Sequence, residues 1–166
     1  MTSAPSDYPA TISEPADQHT RFALRTGAAF FFVDLAVRLV GVAGLALLLT
    51  EATGQLPVQL ITFDRIYYLL IDLVCGVMLW QGYQQWRKPA FILACVSSAP
   101  IVLRIIVFWS ITGKGSLSTV LSQISLCVAL ACVLLGANAQ WRTWTAITVF
   151  VLGYIGGNLF NLIGRL

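Results

Sequence analysis

Apolar runs long enough to cross a bilayer recur along this chain, separated by short polar breaks, and the pattern predicts five helices. The first run, Gly27 to Thr50, reads GAAFFFVDLAVRLVGVAGLALLLT. At 1.5 Å per residue it extends about 36 Å, more than a hydrocarbon core of about 30 Å. Glu51 to Phe63 carries Gly54 and Pro57 as breakers and predicts a loop. Ile66 to Tyr83 forms the second span, and Ala90 to Ile111 the third, opened by Pro89 in a first-turn position. A TGKGS turn (Thr112 to Ser116) leads into Leu117 to Ala137, and Asn138 to Thr143 leads into Trp144 to Ile163. Residues 1–26 hold Pro5, Pro9 and Pro15, three acids, His19, Arg21 and Arg25 without a helical apolar stripe. They predict a disordered polar tail ahead of a transmembrane domain at 27–166. The tail does not read as a secretory signal, because the apolar run that follows is late and too long.

Composition turns this pattern into a class. Of 166 residues, 58% are apolar and 10% charged, where soluble globular proteins carry about 25% charged residues. A mean hydropathy of +0.82 excludes a disordered chain. Ten scattered Lys and Arg do not form the basic face that a nucleic-acid binder needs. The expected fold is therefore all-α, a polytopic helical bundle in a lipid bilayer. Five spans put the termini on opposite sides. Arg21, Arg25, Arg87, Lys88 and Arg142 fall on one side against Arg65, Lys114 and Arg165 on the other. This bias points to a cytoplasmic N-terminus in a cell membrane. Tyr83, Trp86, Trp141 and Trp144 mark one interface, and Tyr67, Tyr68 and Trp109 the other. Gln85-Trp86-Arg87 is echoed by Gln140-Trp141-Arg142, which fits either a duplicated hairpin or two independent interface markers.

In lipid, helices associate through small residues and hydrogen bonds, because the hydrophobic effect does not push them together. Ser118, Ser122, Ser125, Ala129, Cys132 and Gly136 recur at spacings 4, 3, 4, 3, 4 and form one stripe on the fourth helix. Gly153 and Gly157 form a GxxxG on the fifth, extended by Asn161 and Gly164. These stripes predict antiparallel packing of the fourth and fifth helices. The rival use of Gly153 and Gly157 is a homodimer, since GxxxG serves within and between chains alike.

Four ionisable residues lie inside spans: Asp34 and Arg38, Asp72, and Arg104. Each alone at mid-membrane costs roughly 2.5–3.5 kcal/mol, so they are expected to face one another. Counted from the N-terminal side, Arg38 and Asp72 both sit at about 16 Å, Arg104 at about 21 Å and Asp34 at about 10 Å. The expectation is a ladder of Asp34, Arg38, Asp72 and Arg104 through helices one to three. Pro100, one turn before Arg104, frees the carbonyl of Val96. With Ser97, Ser98 and Gln123 it marks a polar pocket wall.

Other chemistry is scarce. One histidine, in the tail, excludes a bis-His haem and argues against a zinc site, so no cofactor and no metal are expected. Cys75, Cys95, Cys127 and Cys132 contain no CxxC and read as small packing residues, with no redox pair. An aspartyl dyad of Asp34 and Asp72 is disfavoured by their height difference of about 6 Å and by the neighbouring arginines. The expected function is thus non-enzymatic binding within the bilayer, as an accessory, immunity-like or small-ligand-binding subunit, with a membrane-protein partner or a second copy as the protein contact. The alternative is a small transporter or channel whose path is lined by Asp72, Arg104 and Pro100.

Overall fold

The structure, a computed structural model, describes residues 15–53, 63–112, 117–136 and 140–163. These form five helices, with no strand among the described residues. Helix α1 is Pro15–Thr53, α2 Phe63–Trp80 and α3 Arg87–Thr112, the last preceded by a 3₁₀ turn at Gln84–Trp86. Helix α4 runs through Leu117–Leu130 and widens into a π-helical segment at Ala131–Leu135. Helix α5 is α-helical over Gln140–Val149, π-helical over Phe150–Ile155 and α-helical again over Gly156–Ile163. Residues 1–14, the 54–62 and 113–116 connections with Gly54, Pro57 and Lys114, and Gly164 and Arg165 lie outside the described residues.

Four of the helices, at Gln18–Gly44, Gln84–Thr112, Leu117–Leu135 and Gln140–Asn161, are long and apolar enough to cross a membrane. That is compatible with a multi-pass membrane protein. The second expected span, Ile66 to Tyr83, is shorter in the structure: the apolar part of α2 is Ile66–Trp80, below the length of the other four. Its end differs from the expected Tyr83 for a local reason. Gly82 takes φ +86°, its N–H bonds to Leu79 O and the Tyr83 N–H to Met78 O, the paired bonds that close a helix on a left-handed residue.

The tail expectation is corrected between Pro15 and Thr26. Pro15 opens a helix of 39 residues, about 58 Å long and far beyond a hydrocarbon core of about 30 Å. Thr20, Ala23, Leu24, Thr26 and Ala28 are buried. Spacings of three and four hide in that segment because its buried face mixes threonine and alanine with larger apolar residues, which blurs an apolar stripe.

Helix α1 packs most extensively on α2. The pair is antiparallel with one register throughout. Leu79 closes on Gly27, Phe32 on Gly76, the Arg25 guanidinium lies 5.7 Å from the Trp80 ring centre, and that of Arg38 lies 5.6 Å from the Tyr68 ring centre. The α4–α5 pair is also antiparallel. A Cβ on Gly153 would fall 2.5 Å from the Ser125 Cβ, and one on Gly157 would fall 3.0 Å from Ser118 O and 3.1 Å from the Ser122 Cβ. Side chains on both glycines would separate the helices, so the absence of a Cβ is what permits the approach. Deeper in the bundle Phe30 stacks on Phe150 at 4.2 Å, and Phe150 on Tyr154 at 5.0 Å, joining α1 to α5.

Helix α3 is the outlier. Its buried residues are Ala90, Ala94, Ser97 and Ser98, all in its first half. It packs on α4 and more lightly on α2.

Candidate functional site

Three of the four ionisable residues expected inside the spans, Asp34, Arg38 and Asp72, meet Tyr154 in one buried cluster drawn from three helices. Arg38 donates from Nε and Nη2 to Asp34 Oδ2, at 3.0 and 2.7 Å. Its Nε also lies 3.0 Å from Asp72 Oδ2 on α2. The single hydrogen on Nε goes to Asp34, so Asp72 Oδ2 is held by charge and receives no hydrogen bond. Tyr154 on α5 donates its hydroxyl to Asp34 Oδ1. Side-chain exposure is 2% for Asp34 and 1% for Asp72 against 16% for Arg38, so the acids are sealed and the guanidinium is their lid. Two carboxylates thus share one guanidinium, with a phenol supplying a third donor.

The register explains the meeting. Asp34 and Arg38 are one turn apart on α1, and in the α1–α2 pairing that sets Gly27 against Leu79 Asp72 stands level with Asp34, and Arg38 with Tyr68, from where its guanidinium turns back to both acids. The expected height gap between the acids is corrected: α2 ends at Trp80, not Tyr83, which lowers Asp72 by about 4.5 Å. Asp34 Oδ2 and Asp72 Oδ2 both lie 3.0 Å from the same Arg38 Nε. The expected ladder is corrected at its far end. Arg104 is exposed on the outer half of α3, as is Pro100. Helix α3 lies against α4 and α2, and it is α5 that delivers a polar group to Asp34.

Tyr154 was missed by sequence reasoning. The available signal was its position, a tyrosine deep inside a span where its O–H needs a partner. The π-helical segment of α5, in which the Gly156 N–H reaches back to Val151 O, holds that residue, and π turns often accompany functional positions.

The other polar residues fall elsewhere. Ser97 and Ser98 on α3 and Ser122 and Gln123 on α4 are buried, Ser122 against Gly157 of α5. Ser97 donates to Ala94 O and Ser122 to Thr119 O, while Ser98 Oγ and Gln123 Oε1 have no protein partner. Pro100 does not join them, so the expected pocket wall divides into buried polar residues and an exposed proline. At the far end of α4, Ser118 donates to Asn161, whose Nδ2 donates to Thr119 Oγ1 at 2.9 Å. At the near end Arg87 Nη2 reaches Val133 O at 3.3 Å and Gly136 O at 3.2 Å, satisfying carbonyls that the helix terminus leaves open. Gly136 also lies against Arg142, so both Trp-Arg echoes converge on the end of α4. Ala129 is fully buried, and Cys132 is half-buried.

Among the described residues, two of the pockets on the bundle adjoin these groups. The larger, about 630 Å³, lies between α1, α4 and α5 and is lined by apolar Phe32, Val33, Val37, Val40, Ile155 and Leu159 with Thr119, Asn158 and Asn161 as its polar wall. Asn158 donates to Tyr154 O at 2.8 Å, so the pocket adjoins the helix segment that carries the tyrosine of the buried cluster. The smaller, about 430 Å³, is bounded by Cys132, Gly136, Trp141 and Arg142. Among the described residues no group of three or more His, Cys, Asp or Glu is placed to hold a metal ion. No protein family, characterised protein or solved structure matches this chain.

Proposed function

We propose that this chain is a non-enzymatic multi-pass protein of a cell membrane, with a cytoplasmic N-terminus, that works by binding a small apolar or amphipathic ligand from the bilayer. The pocket of about 630 Å³ between α1, α4 and α5 carries this reading. Its volume falls in the range of about 300–1,000 Å³ usual for small-molecule sites, and its mainly apolar walls with a few placed polar groups are the usual composition. No charged side chain lines it, which favours an uncharged polar head. The cluster of Asp34, Arg38, Asp72 and Tyr154 supports the same reading as the rigid floor that fixes α1 against α2 and α5.

A transport path, the alternative, would draw on Asp34, Arg38 and Tyr154 beside Asp72, because Arg104 and Pro100 face outward. A protein partner would be met along the exposed face of α3, since α4 covers Gly153 and Gly157.

The test is a photoreactive long-chain alcohol incorporated into vesicles that contain the protein, with the labelled residues mapped by mass spectrometry. Labelling concentrated at 32–41 and 155–161, and lowered about tenfold by Val37→Trp (about 1.4 kcal/mol of affinity), supports the reading. Labelling spread evenly over the exposed faces of α2 and α3 overturns it.

A further inference from the structure

Arg142 stands in the first turn of α5, half-buried, and among the described residues it makes neither an ion pair nor a hydrogen bond. Its guanidinium lies 5.4 Å from the centre of the Trp141 ring, and Nη1 is 3.2 Å from where a Cβ on Gly136 would fall. A lone cation is poorly placed there. A helix N-terminus already carries about half a positive charge, and the first turn of α5 holds no acid to offset it. The carbonyls at the end of α4, Val133 O and Gly136 O, accept from Arg87 instead. Two sources of positive charge therefore add at one point, and an anion from outside the chain is what would balance them.

The pocket of about 430 Å³ opens beside that point, with no acid in its lining. Gly136, Trp141 and Arg142 form its mouth at the membrane interface. Cys132 on α4 and Thr145 on α5 lie about 4.5–6 Å deeper. The Thr145 hydroxyl donates to Trp141 O at 2.9 Å within its own helix, so the deep end presents mainly the apolar surface of Cys132 and Leu135. A cationic, aromatic mouth above an apolar slot matches a phosphate joined to a hydrocarbon chain better than it matches a free ion. Arg21, Arg25, Arg87 and Lys88 share this interface, which the proposed orientation makes cytoplasmic, the side where anionic lipids are met.

We propose that this pocket binds an anionic phospholipid, with the phosphate on the Arg142 guanidinium at the mouth and one acyl chain entering along Cys132 and Leu135. The planar guanidinium can give two parallel N–H bonds to a phosphate, a pairing stronger than one between neutral groups. The bound lipid ties the start of α5 to the end of α4. This site is separate from the larger pocket between α1, α4 and α5 and does not depend on what that pocket holds.

The experiment titrates the full chain in a mild detergent with dioleoyl phosphatidylglycerol or dioleoyl phosphatidylcholine and counts bound lipids by native mass spectrometry. The first phosphatidylglycerol is expected to bind about tenfold more tightly than the first phosphatidylcholine. Arg142→Gln removes that preference, while Arg25→Gln, at the same interface but outside the pocket, changes it by less than about twofold. In vesicles, a phosphatidylglycerol with a photoreactive head group labels the wild type at 131–136 and 141–145, a readout that stands even where a variant fails to fold. Equal binding of the two lipids, or labelling elsewhere, overturns the proposal. So does an equal loss in Arg25→Gln, which would mean diffuse surface charge, or displacement of the lipid by glycerol 3-phosphate at matched concentration, which would mean a site for the free anion.

Discussion

Replacing Arg38 by leucine removes the cation shared by two sealed carboxylates. In the wild type the guanidinium contacts Asp34 Oδ2 at 2.7 and 3.0 Å and Asp72 Oδ2 at 3.0 Å. It also lies 5.6 Å from the ring centre of Tyr68, a contact worth about 0.5–2 kcal/mol. Breaking a buried pair by deleting one partner costs about 3–5 kcal/mol, because the remaining charge keeps its desolvation penalty without its attraction. Here two acids are abandoned at 1–2% exposure, so Arg38→Leu is expected to lose about 3–5 kcal/mol of unfolding free energy. Steric trapping in bicelles measures it. Adding Asp34→Asn and Asp72→Asn to Arg38→Leu removes the abandoned charges and is expected to recover more than half of that loss. Asp72→Asn alone, which leaves one carboxylate for one guanidinium, costs about 1 kcal/mol or less, since Asp72 Oδ2 has no hydrogen bond to lose. An Arg38→Leu protein within about 0.5 kcal/mol of wild type refutes the reasoning, and so does a triple variant no more stable than the single one.

Gly153→Ala would drive a Cβ to 2.1 Å from Ser125 Oγ, costing about 1–3 kcal/mol; Ser125→Gly in the same chain should restore most of it by the same unfolding assay. Tyr154→Phe leaves Asp34 Oδ1 without its donor and should cost about 1–3 kcal/mol, with wild-type stability counting against the cluster. Arg87→Met frees the carbonyls of Val133 and Gly136; amide hydrogen exchange over 131–136 should quicken, reflecting about 1–2 kcal/mol of lost local stability. Arg104→Leu should leave the unfolding free energy within about 0.5 kcal/mol and ease insertion of α3 by up to about 2.5–3.5 kcal/mol. Glycosylation mapping of α3 insertion checks the second value, and a folding loss above about 1 kcal/mol would mean that Arg104 has a partner.

Helix number and class were legible in the order of apolar and polar residues, because a bilayer-length apolar run satisfies its backbone only as a helix. The small stripes were legible too: Ser118, Ser122 and Ser125 on α4 and Gly153 and Gly157 on α5 are spaced so that one face of each helix lacks bulk, and the structure sets those faces together. Asp34 and Arg38 were readable as a pair from their spacing alone.

Which helices surround that pair was decided by tertiary structure. The sequence assigns each polar residue a depth but no azimuth, so it put Asp72 and Arg104 on an equal footing beside Asp34 and left Tyr154 out. The α1–α2 register set Asp72 level with Asp34 beside Arg38, α5 supplied Tyr154, and the packing of α3 on α4 left Arg104 outside. The start of α1 at Pro15 has the same origin. Periodicity along one helix states which residues share a face, whereas the neighbour that covers the face follows from how all five pack at once.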